Sequence, residues 1–574
     1  MSGDQLVYNI ASENETTPSI FTRKEWISIL DIQNGNYSGA NAVIDTSQIS
    51  NSNKYANYRE AYLTIPLLMT LTSKTSTATV FAPNTPATSA DYALGLKNSF
   101  LHIIHSLQIE YNGTSVTQIV PYSSIWNHFK LMTTLSWNDV ITQGASIGFW
   151  PDTSTSFTYN TADNTNGSIG TSNNLNAGNF APVTAIDNTY TNFNEGFLKR
   201  QQYINYDEDG YTGASGTQSQ FKTLLTKTNA KLAYKSCIIN KINGGSSLSG
   251  SFQIQVMANV MLKHLHSFFD KLPLLKGAFM RITCNLNHTG VGFTATTSAG
   301  ACTFSSVSVT SAYGGVNPMM IASGTATNGS SAPFVTGDYY ASICVGQKVL
   351  DSTHSAFTNN TTAQLANILL TVPLYTFNPI FESAYLSNPV KTVVYDDIYN
   401  YNYVNSIASG GSSSFNFLVT NGISNLKSVL VIPFYSKGTP STLIPIQSPF
   451  DTAGATSSPL CLLSNFNCVV SGSNAIYNND SRSYSFFLNQ LAGCNAINAG
   501  ETDGITSSLI TQLDFETLYN YYYVDISRSL PIEKDVPKSI SIIGTSLNQL
   551  AVDLYVFVCF SNQINIDVLS GAKV

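Results

Sequence analysis

The stretch Leu513 to Phe560, LDFETLYNYYYVDISRSLPIEKDVPKSISIIGTSLNQLAVDLYVFVCF, decides the fold. Three β-strands are expected in it. Tyr519 to Ile526 is aromatic and β-branched, and Ser539 to Ile543 alternates small polar with apolar residues. Leu550 to Phe560 is a nearly continuous apolar run with one charge, Asp553. Pro531 and Pro537 mark a bend between the first two strands, and Gly544-Thr-Ser-Leu-Asn548 a turn between the last two.

The chain carries this pattern twice. Phe252 to Asn287, FQIQVMANVMLKHLHSFFDKLPLLKGAFMRITCNLN, is again a strand, a bend at Leu272-Pro273, a Lys and an alternating strand. The spans Phe252 to Lys276 and Phe515 to Lys538 differ in length by a single position, the mark of an internal duplication. Working outward, Lys391-Thr-Val-Val-Tyr-Asp-Asp-Ile matches Lys24-Glu-Trp-Ile-Ser-Ile-Leu-Asp, and Thr420-Asn-Gly-Ile-Ser matches Thr46-Ser-Gln-Ile-Ser. Ser428 to Tyr435 (SVLVIPFY) matches Ala61 to Met69 (AYLTIPLLM), and the spacing from Lys24 to the Ile65-Pro66 pair equals that from Lys391 to Ile432-Pro433.

A helix interrupts the strands in each half. In Pro121 to Leu135 the residues Ile125, Trp126, Phe129, Met132 and Thr133 fall on one face at helical spacing, with Ser123 or Ser124 as the expected cap. Ser485 to Leu491 occupies the corresponding place in the second half.

Elsewhere, strands are expected at Glu25 to Ile32, Ala42 to Ser50, Tyr58 to Thr72 and Leu365 to Tyr375. Ser99 to Val116 reads as two strand segments, with a hairpin turn at Asn112-Gly113. Two long polar excursions, Trp137 to Ser251 and His288 to Ala363, interrupt the first half. The domain reading is an arm at 1–20, a first jelly roll at 21–376 with insertions at about 137–251 and 288–363, a linker at 377–390 and a second jelly roll at 391–574. The class is all-β: two tandem eight-stranded antiparallel jelly rolls, with short helices and long loop insertions.

Composition agrees with a large β protein. Of 574 residues, 43% are hydrophobic and only 11% charged, against about 25% in ordinary domains. Asn, Ser, Thr and Tyr therefore supply the polarity. A net charge of -7 argues against a surface that coats nucleic acid or reads its sequence, since phosphate binding rests on clustered Lys and Arg. No apolar run approaches the roughly 20 residues that span a bilayer, and the N-terminus lacks a charged-then-apolar signal, so a soluble product made in the cytosol is expected. The eight cysteines, Cys237, Cys284, Cys302, Cys344, Cys461, Cys468, Cys494 and Cys559, lack metal-like spacing and read as buried free thiols.

Signals for chemistry are weak. The close histidine pairs, His102 with His105 and His264 with His266, have no further ligands at set spacing. Asp207-Glu208-Asp209-Gly210 opens like a calcium loop, but its twelfth position is Gln218 instead of an acid. Asp396, Asp397 and Asp525 lie in strands and read as edge or interface charges. Gly244-Gly245, Gly314-Gly315 and Gly410-Gly411 are loop glycines, and no phosphate-binding or nucleophile motif stands in strand-to-helix context. No catalytic, cofactor-binding or metal-ligating residue is nominated, and no enzyme activity is expected. The competing function is a carbohydrate-binding or glycan-processing β protein, whose paired carboxylates have no candidate here.

The chain resembles the double jelly-roll major capsid proteins of icosahedral double-stranded DNA viruses, those of virophages and polinton-like viruses above all, most strongly from about Leu365 to the C-terminus and less so over Arg59 to Leu135 and Phe252 to Asn287. The residues that carry the resemblance are Pro373-Leu-Tyr-Thr-Phe-Asn-Pro379, Pro389-Val-Lys-Thr-Val-Val-Tyr395, Lys427-Ser-Val-Leu-Val-Ile-Pro-Phe-Tyr435, Gly493-Cys-Asn-Ala-Ile-Asn498 and Val536-Pro-Lys-Ser-Ile-Ser-Ile-Ile-Gly-Thr545. It implies a homotrimer that forms a pseudo-hexameric capsomer and tiles a viral shell with neighbouring trimers. Penton and minor or cement proteins are the further partners, and the virion, assembled from chains synthesised in the host cytoplasm, is the location. It also implies that both excursions face outward and into contacts between subunits, with the N-terminal arm under the shell.

Overall fold

The structure is a computed structural model that describes residues 19–73, 90–152, 200, 250–298, 301–325, 337–345, 367–436, 461–476, 483–493, 509–527, 536–548 and 551–574, apart from isolated positions. Its strands begin with β1 (Phe21–Leu30), β2 (Asn41–Asp45), β3 (Tyr55–Ala56), β4 (Tyr62–Ser73), β5 (Ala90–Leu96), β6 (Ile104–Tyr111) and β7 (Thr114–Ser115). Helices Ser123–Thr134 and Trp137–Ile147 follow, then β8 (Gly250–Met261), two short helical turns and β9 (Met280–Leu286). The half closes with β10 (Thr289–Ser298), β11 (Ala301–Ser311), β12 (Met319–Thr325), β13 (Gly337–Val345) and β14 (Leu369–Phe377).

After helix Pro379–Leu386 come β15 (Val390–Ile407), β16 (Ser413–Ile423), β17 (Leu426–Tyr435), β18 (Leu463–Val470) and β19 (Ser473–Asn474). Helices Tyr484–Gly493 and Gln512–Thr517 precede β20 (Tyr522–Asp525), β21 (Lys538–Ser546) and β22 (Val552–Asp567).

The sheet orders reveal the duplication directly. In the second half one sheet runs β15-β22-β17-β20 and the other β16-β21-β18-β19. In the first half β1, β14, β4 and β8 neighbour one another in turn, and the facing sheet runs β2-β9-β6-β7. In both halves the first and last strands of the sandwich pair, the last pairs with the third, and the second pairs with the next-to-last. That is the jelly-roll topology, present twice. No sheet among the described residues mixes strands of the two halves.

Local chemistry explains the element ends. Asn112 (φ 46°) and Gly113 (φ 76°) both take positive φ between β6 and β7, as a tight hairpin turn requires. Helix Trp137–Ile147 starts in a capping box between Ser136 and Asp139 and ends at Gly148 (φ 62°), where a Cβ would lie 2.6 Å from the Phe100 ring. The same box, Thr511 with Asp514, opens Gln512–Thr517 at the matching point of the second half.

Several expectations need correction. Neither Ser123 nor Ser124 caps its helix: the cap position is Tyr122 in the left-handed region with no side-chain bond, and the Ser123 hydroxyl donates to the His105 carbonyl. The strand expected over Ala42 to Ser50 stops at Asp45, and Ser47–Ser50 is one helical turn. Phe100–Ile103 is a 3-10 turn, because the Ser99 hydroxyl accepts the Leu101 N–H and bends the chain before β6. The final aromatic stretch shortens to Tyr522–Asp525, and the 377–390 connector contains a helix with Pro379 in its first turn and Asn378 as its cap.

The described residues of the excursion expected over His288 to Ala363 are largely strand. Threonine and serine alternating with Val, Phe and Tyr satisfy a pleated ladder as well as aliphatic residues do, and polarity alone hid this. β13 and β14 lie end to end along one side of β4, pairing with Leu67–Ser73 and Tyr62–Thr64 respectively. Pro66, which has no N–H to donate, falls in the gap between them. β10 and β11 extend the sheet beyond β13, while β5 and β12 form a separate two-stranded sheet. The Trp137 to Ser251 excursion opens with helix Trp137–Ile147, and β8 begins at Gly250; most of it, the 1–18 arm and Asp207-Glu208-Asp209 lie outside the described residues.

The matched Ile-Pro pairs also differ from expectation. Both lie in the third strand of their sandwich, yet Ile65 faces its own core with Leu63 and Leu67, whereas Ile432, with Leu430 and Phe434, faces away from its own core and onto the first half. A one-residue difference in register is enough to exchange the faces.

Phe557 is fully buried against Trp126 of the first half, with ring centroids 6.1 Å apart, whereas Met257 on the outer face of β8 is 47% exposed. Phe557→Ala is expected to cost about 3–5 kcal/mol in urea unfolding, and Met257→Ala less than about 1 kcal/mol. Equal losses would contradict this burial pattern.

Candidate assembly surface

The seam between the halves is built on one face of the β15-β22-β17-β20 sheet. In β17 and β22, Val429, Val431, Leu554, Val556 and Val558 fill the core of the second sandwich. The alternate residues Leu430, Ile432, Phe434, Tyr555, Phe557 and Cys559 join the core of the first. This sheet is therefore buried on both sides, and its strands need no apolar-polar alternation.

Helix Ser123–Thr134 fills the seam. Tyr122, just before it, meets Tyr555 edge-on at 5.0 Å, and Phe129 packs on Tyr521 and Tyr523 at 5.1 and 5.5 Å. Covered by its own half and by the second, the helix is buried on nearly every side.

Polar contacts fix the angle between the halves. The Tyr395 hydroxyl donates to the Val116 carbonyl at 2.9 Å, Tyr111 to the Gly571 carbonyl at 2.7 Å, and Tyr519 to the Asp152 carbonyl at 2.8 Å. The Ser267 hydroxyl bridges the backbone N–H and carbonyl of Asp396. Lys427 holds the Asp396 carboxylate at 2.8 Å, and His266 lies 3.3 Å from Asp397. Asp396 and Asp397 are thus seam residues. Asp525 is local, accepting from Ser527 while its backbone N–H donates to Gln490.

Each partner in the seam has a counterpart that is less covered among the described residues. Helix Tyr484–Gly493 takes the position of Ser123–Thr134 in the second half; Phe487 and Leu491 are buried, while Ser485 and Asn489 are exposed and Tyr484, Leu488 and Ala492 half-buried. The outer face of the β1-β14-β4-β8 sheet carries Trp26 (52% exposed), Tyr62, Thr64, Met257 and Asn259, with Lys24 bound to Glu60 at 2.6 Å beside Tyr375. Aromatic, Met and paired polar groups make it resemble an interface more than a solvated sheet face.

The sequence-marked histidines are not brought together as ligands. His102 and His105 are buried: His102 lies 5.4 Å, ring to ring, from His128, and His105 stacks on Tyr313 at 5.5 Å. His266 Nδ1 accepts the Phe268 N–H and caps a helical turn. Among the described residues no group of three or more His, Cys, Asp or Glu side chains is placed to hold a metal ion. Cys284, Cys344, Cys461, Cys468 and Cys559 are buried; burial pushes Cys284, Cys344, Cys468 and Cys559 up to about 12.

Arg200 was not legible in the sequence, since it falls within the stretch read as a polar excursion. It is fully buried, donates from Nε to the Leu96 carbonyl at 2.7 Å, bonds the Trp150 carbonyl and lies 3.3 Å from Asp152. Burial raises the Asp152 pKa, opposed by the Arg200 charge. No short motif marks such a residue.

The described histidines dictate the response to acid. Burial lowers His102 to about 3, aided by the Lys97 and Arg200 charges, and lowers His105, His264 and His288 each to about 4. His128 lies well below its ordinary value for the same reason, with His102 and Arg200 adding to it. The unfolded chain then binds these protons first, so their stabilisation is complete above about pH 6.5 and is lost as pH falls toward 4. Each group contributes a slope of about 1.4 kcal/mol per pH unit in that window. The urea midpoint is expected to drop steeply between pH 7 and pH 5, and His128→Phe, beside the Phe149 ring, to reduce the drop; a flat profile would contradict the burial of these rings.

No protein family and no curated protein matches this sequence. Among solved structures the chain is similar to one in the cryo-EM structure of the Sputnik virophage, at 9% identity and a TM-score of 0.44, over 97% of this chain and 89% of that one. It is similar to the mavirus major capsid protein at 9% identity and a TM-score of 0.44, over 99% and 94%. The Faustovirus major capsid protein follows at 10% identity and a TM-score of 0.40, over 96% and 91%.

Proposed function

We propose that this chain is the major capsid protein of an icosahedral virus, three copies of which close into a pseudo-hexameric tile. The observation that carries the reading is the seam and its unfilled counterpart. Within one chain, a helix of the first sandwich covers the outer sheet face of the second. The second sandwich offers the matching helix half-covered, and the first offers the matching sheet face open. Repeating the contact head to tail between chains buries both, and a heterologous contact of this kind closes into a ring. With two sandwiches per chain, a three-membered ring presents six similar units and tiles a hexagonal lattice.

The insertions support an outer decoration. β4 leaves the sheet at Ser73, β8 enters it at Gly250 opposite Ser73, and β13 pairs with Ser73 through Tyr339. β4 therefore leaves, and β8 and β13 enter, at one end of the sandwich, where added chain disturbs no packing. That end is assigned to the outer face, and the 1–20 arm to the inside. Hexagonal tiles cannot make fivefold vertices, so a penton protein is the required partner, with cement proteins between tiles. The domain boundaries assigned are 21–376 and 391–574, joined through 377–390.

Size exclusion with light scattering is expected to give three times the chain mass of 62.0 kDa. The double variant Trp26→Glu, Met257→Glu places charge on the open sheet face; it is expected to yield folded monomer with an unchanged circular dichroism spectrum. A wild-type monomer, or a variant that still forms trimer, would sink the ring.

A further inference from the structure

We infer that the edge of β15 over Asn400–Val404 pairs with the same edge of a second copy across a twofold axis between neighbouring tiles. This rests on the ring reading above. The earlier part of the edge is closed: Ser267 of the first half bridges both backbone groups of Asp396, and the Asp397 carboxylate accepts the Ile398 N–H. Antiparallel geometry repeats every second residue. Asn400 and Asn402 therefore turn their N–H and carbonyl groups to the side that no described strand occupies, and beyond Tyr403 the pairing of β15 with β22 is irregular up to Ile407.

An open edge of this kind is ordinarily blunted by charge. The first half follows that rule: β1, the corresponding strand, carries Arg23, Lys24 and Glu25, engaged in ion pairs with one another, Lys54 and Glu60. β15 does not, for the sequence holds no charged residue from Ile398 to Leu426. Val404 is 62% exposed, and Leu418 on the neighbouring edge strand β16 is 58% exposed.

The sequence of the edge selects its partner. Ile398-Tyr-Asn-Tyr-Asn-Tyr-Val404 reads almost identically in both directions about Tyr401. Antiparallel pairing about a twofold at Tyr401 sets Asn400 against Asn402, Tyr399 against Tyr403 and Ile398 against Val404, so every position meets its own chemical class. A chain of net charge -7 gains from making this contact where the local charge is zero. An edge that meets itself demands a twofold axis, and a head-to-tail ring contains none, so the contact lies between rings. A pair of short strands is a small interface; several per tile, engaged together, make it effective.

The test uses the full chain. Asn402 is exposed, and in this pairing it stands opposite Asn400 of the second copy and diagonal to its own mate across the axis. Asn402→Lys and Asn402→Glu are each expected to keep the trimer mass but lose the sheets or shells that concentrated wild-type protein forms, followed by light scattering and negative-stain microscopy. An equimolar mixture of the two variants is expected to restore assembly to at least half the wild-type scattering. Single variants that assemble like wild type, a mixture that fails to recover, or wild-type rings that never associate would each overturn the edge pairing while leaving the ring intact. Loss of the trimer in the single variants would place the edge inside the ring and overturn the twofold. A monomeric wild-type chain removes both.

Discussion

The structure depends on one sheet being buried on both of its faces. In β17 and β22 successive side chains serve different cores, with Val556 in the second sandwich and Phe557 in the seam with the first. Burying one such side chain is worth about 1.5–3 kcal/mol, and a strand that does so on both faces stabilises two bodies at once. It also locks their relation. A one-residue slip of β22 against β17 would carry Leu554 and Val556 out of one core and Tyr555 and Phe557 out of the other, so internal register and the packing of the halves are a single constraint.

Duplication supplied two sandwiches of the same topology, and the seam made them unequal. Helix Ser123–Thr134 became a buried strut, while its counterpart Tyr484–Gly493 kept an open face. The first-half sheet acquired a polar and aromatic outer face in place of the apolar one that the second-half sheet turns to the seam. The edges diverged in the same way, charged along β1 and uncharged along the exposed part of β15. Identical halves would bury or expose everything together. Unequal halves give a chain whose interior is closed while one helix face and one sheet face stay less covered.

Buried polar groups add specificity to a core that apolar packing alone would leave loosely defined. Arg200 ties the carbonyls of Leu96 and Trp150 to Asp152, whose own carbonyl receives the Tyr519 hydroxyl from the second half. Segments far apart in sequence are held in one arrangement by bonds that exist only when all are present. The neutral, buried His102 and His128 rings are compatible with this positive surrounding only while they stay unprotonated.

The class, the duplication and most of the strands are legible in the amino-acid order, because alternation, apolar runs and Asn-Gly turns are local signals with a fixed period. The capping boxes of Ser136 with Asp139 and Thr511 with Asp514 are equally local signals, yet neither helix they open is among the elements expected from the sequence, and the first lies in the stretch read as a polar excursion. The strands β10 to β13 are not legible, since they lie in a stretch with the composition of a loop and only pairing with β4, with β5 and with one another decides otherwise. Which face of β17 looks inward, what Arg200 holds, and which helix and sheet faces are left open emerge only once the chain is packed. Those are questions of which residues distant in sequence lie side by side, and a periodicity that repeats every two or four residues carries no information about them.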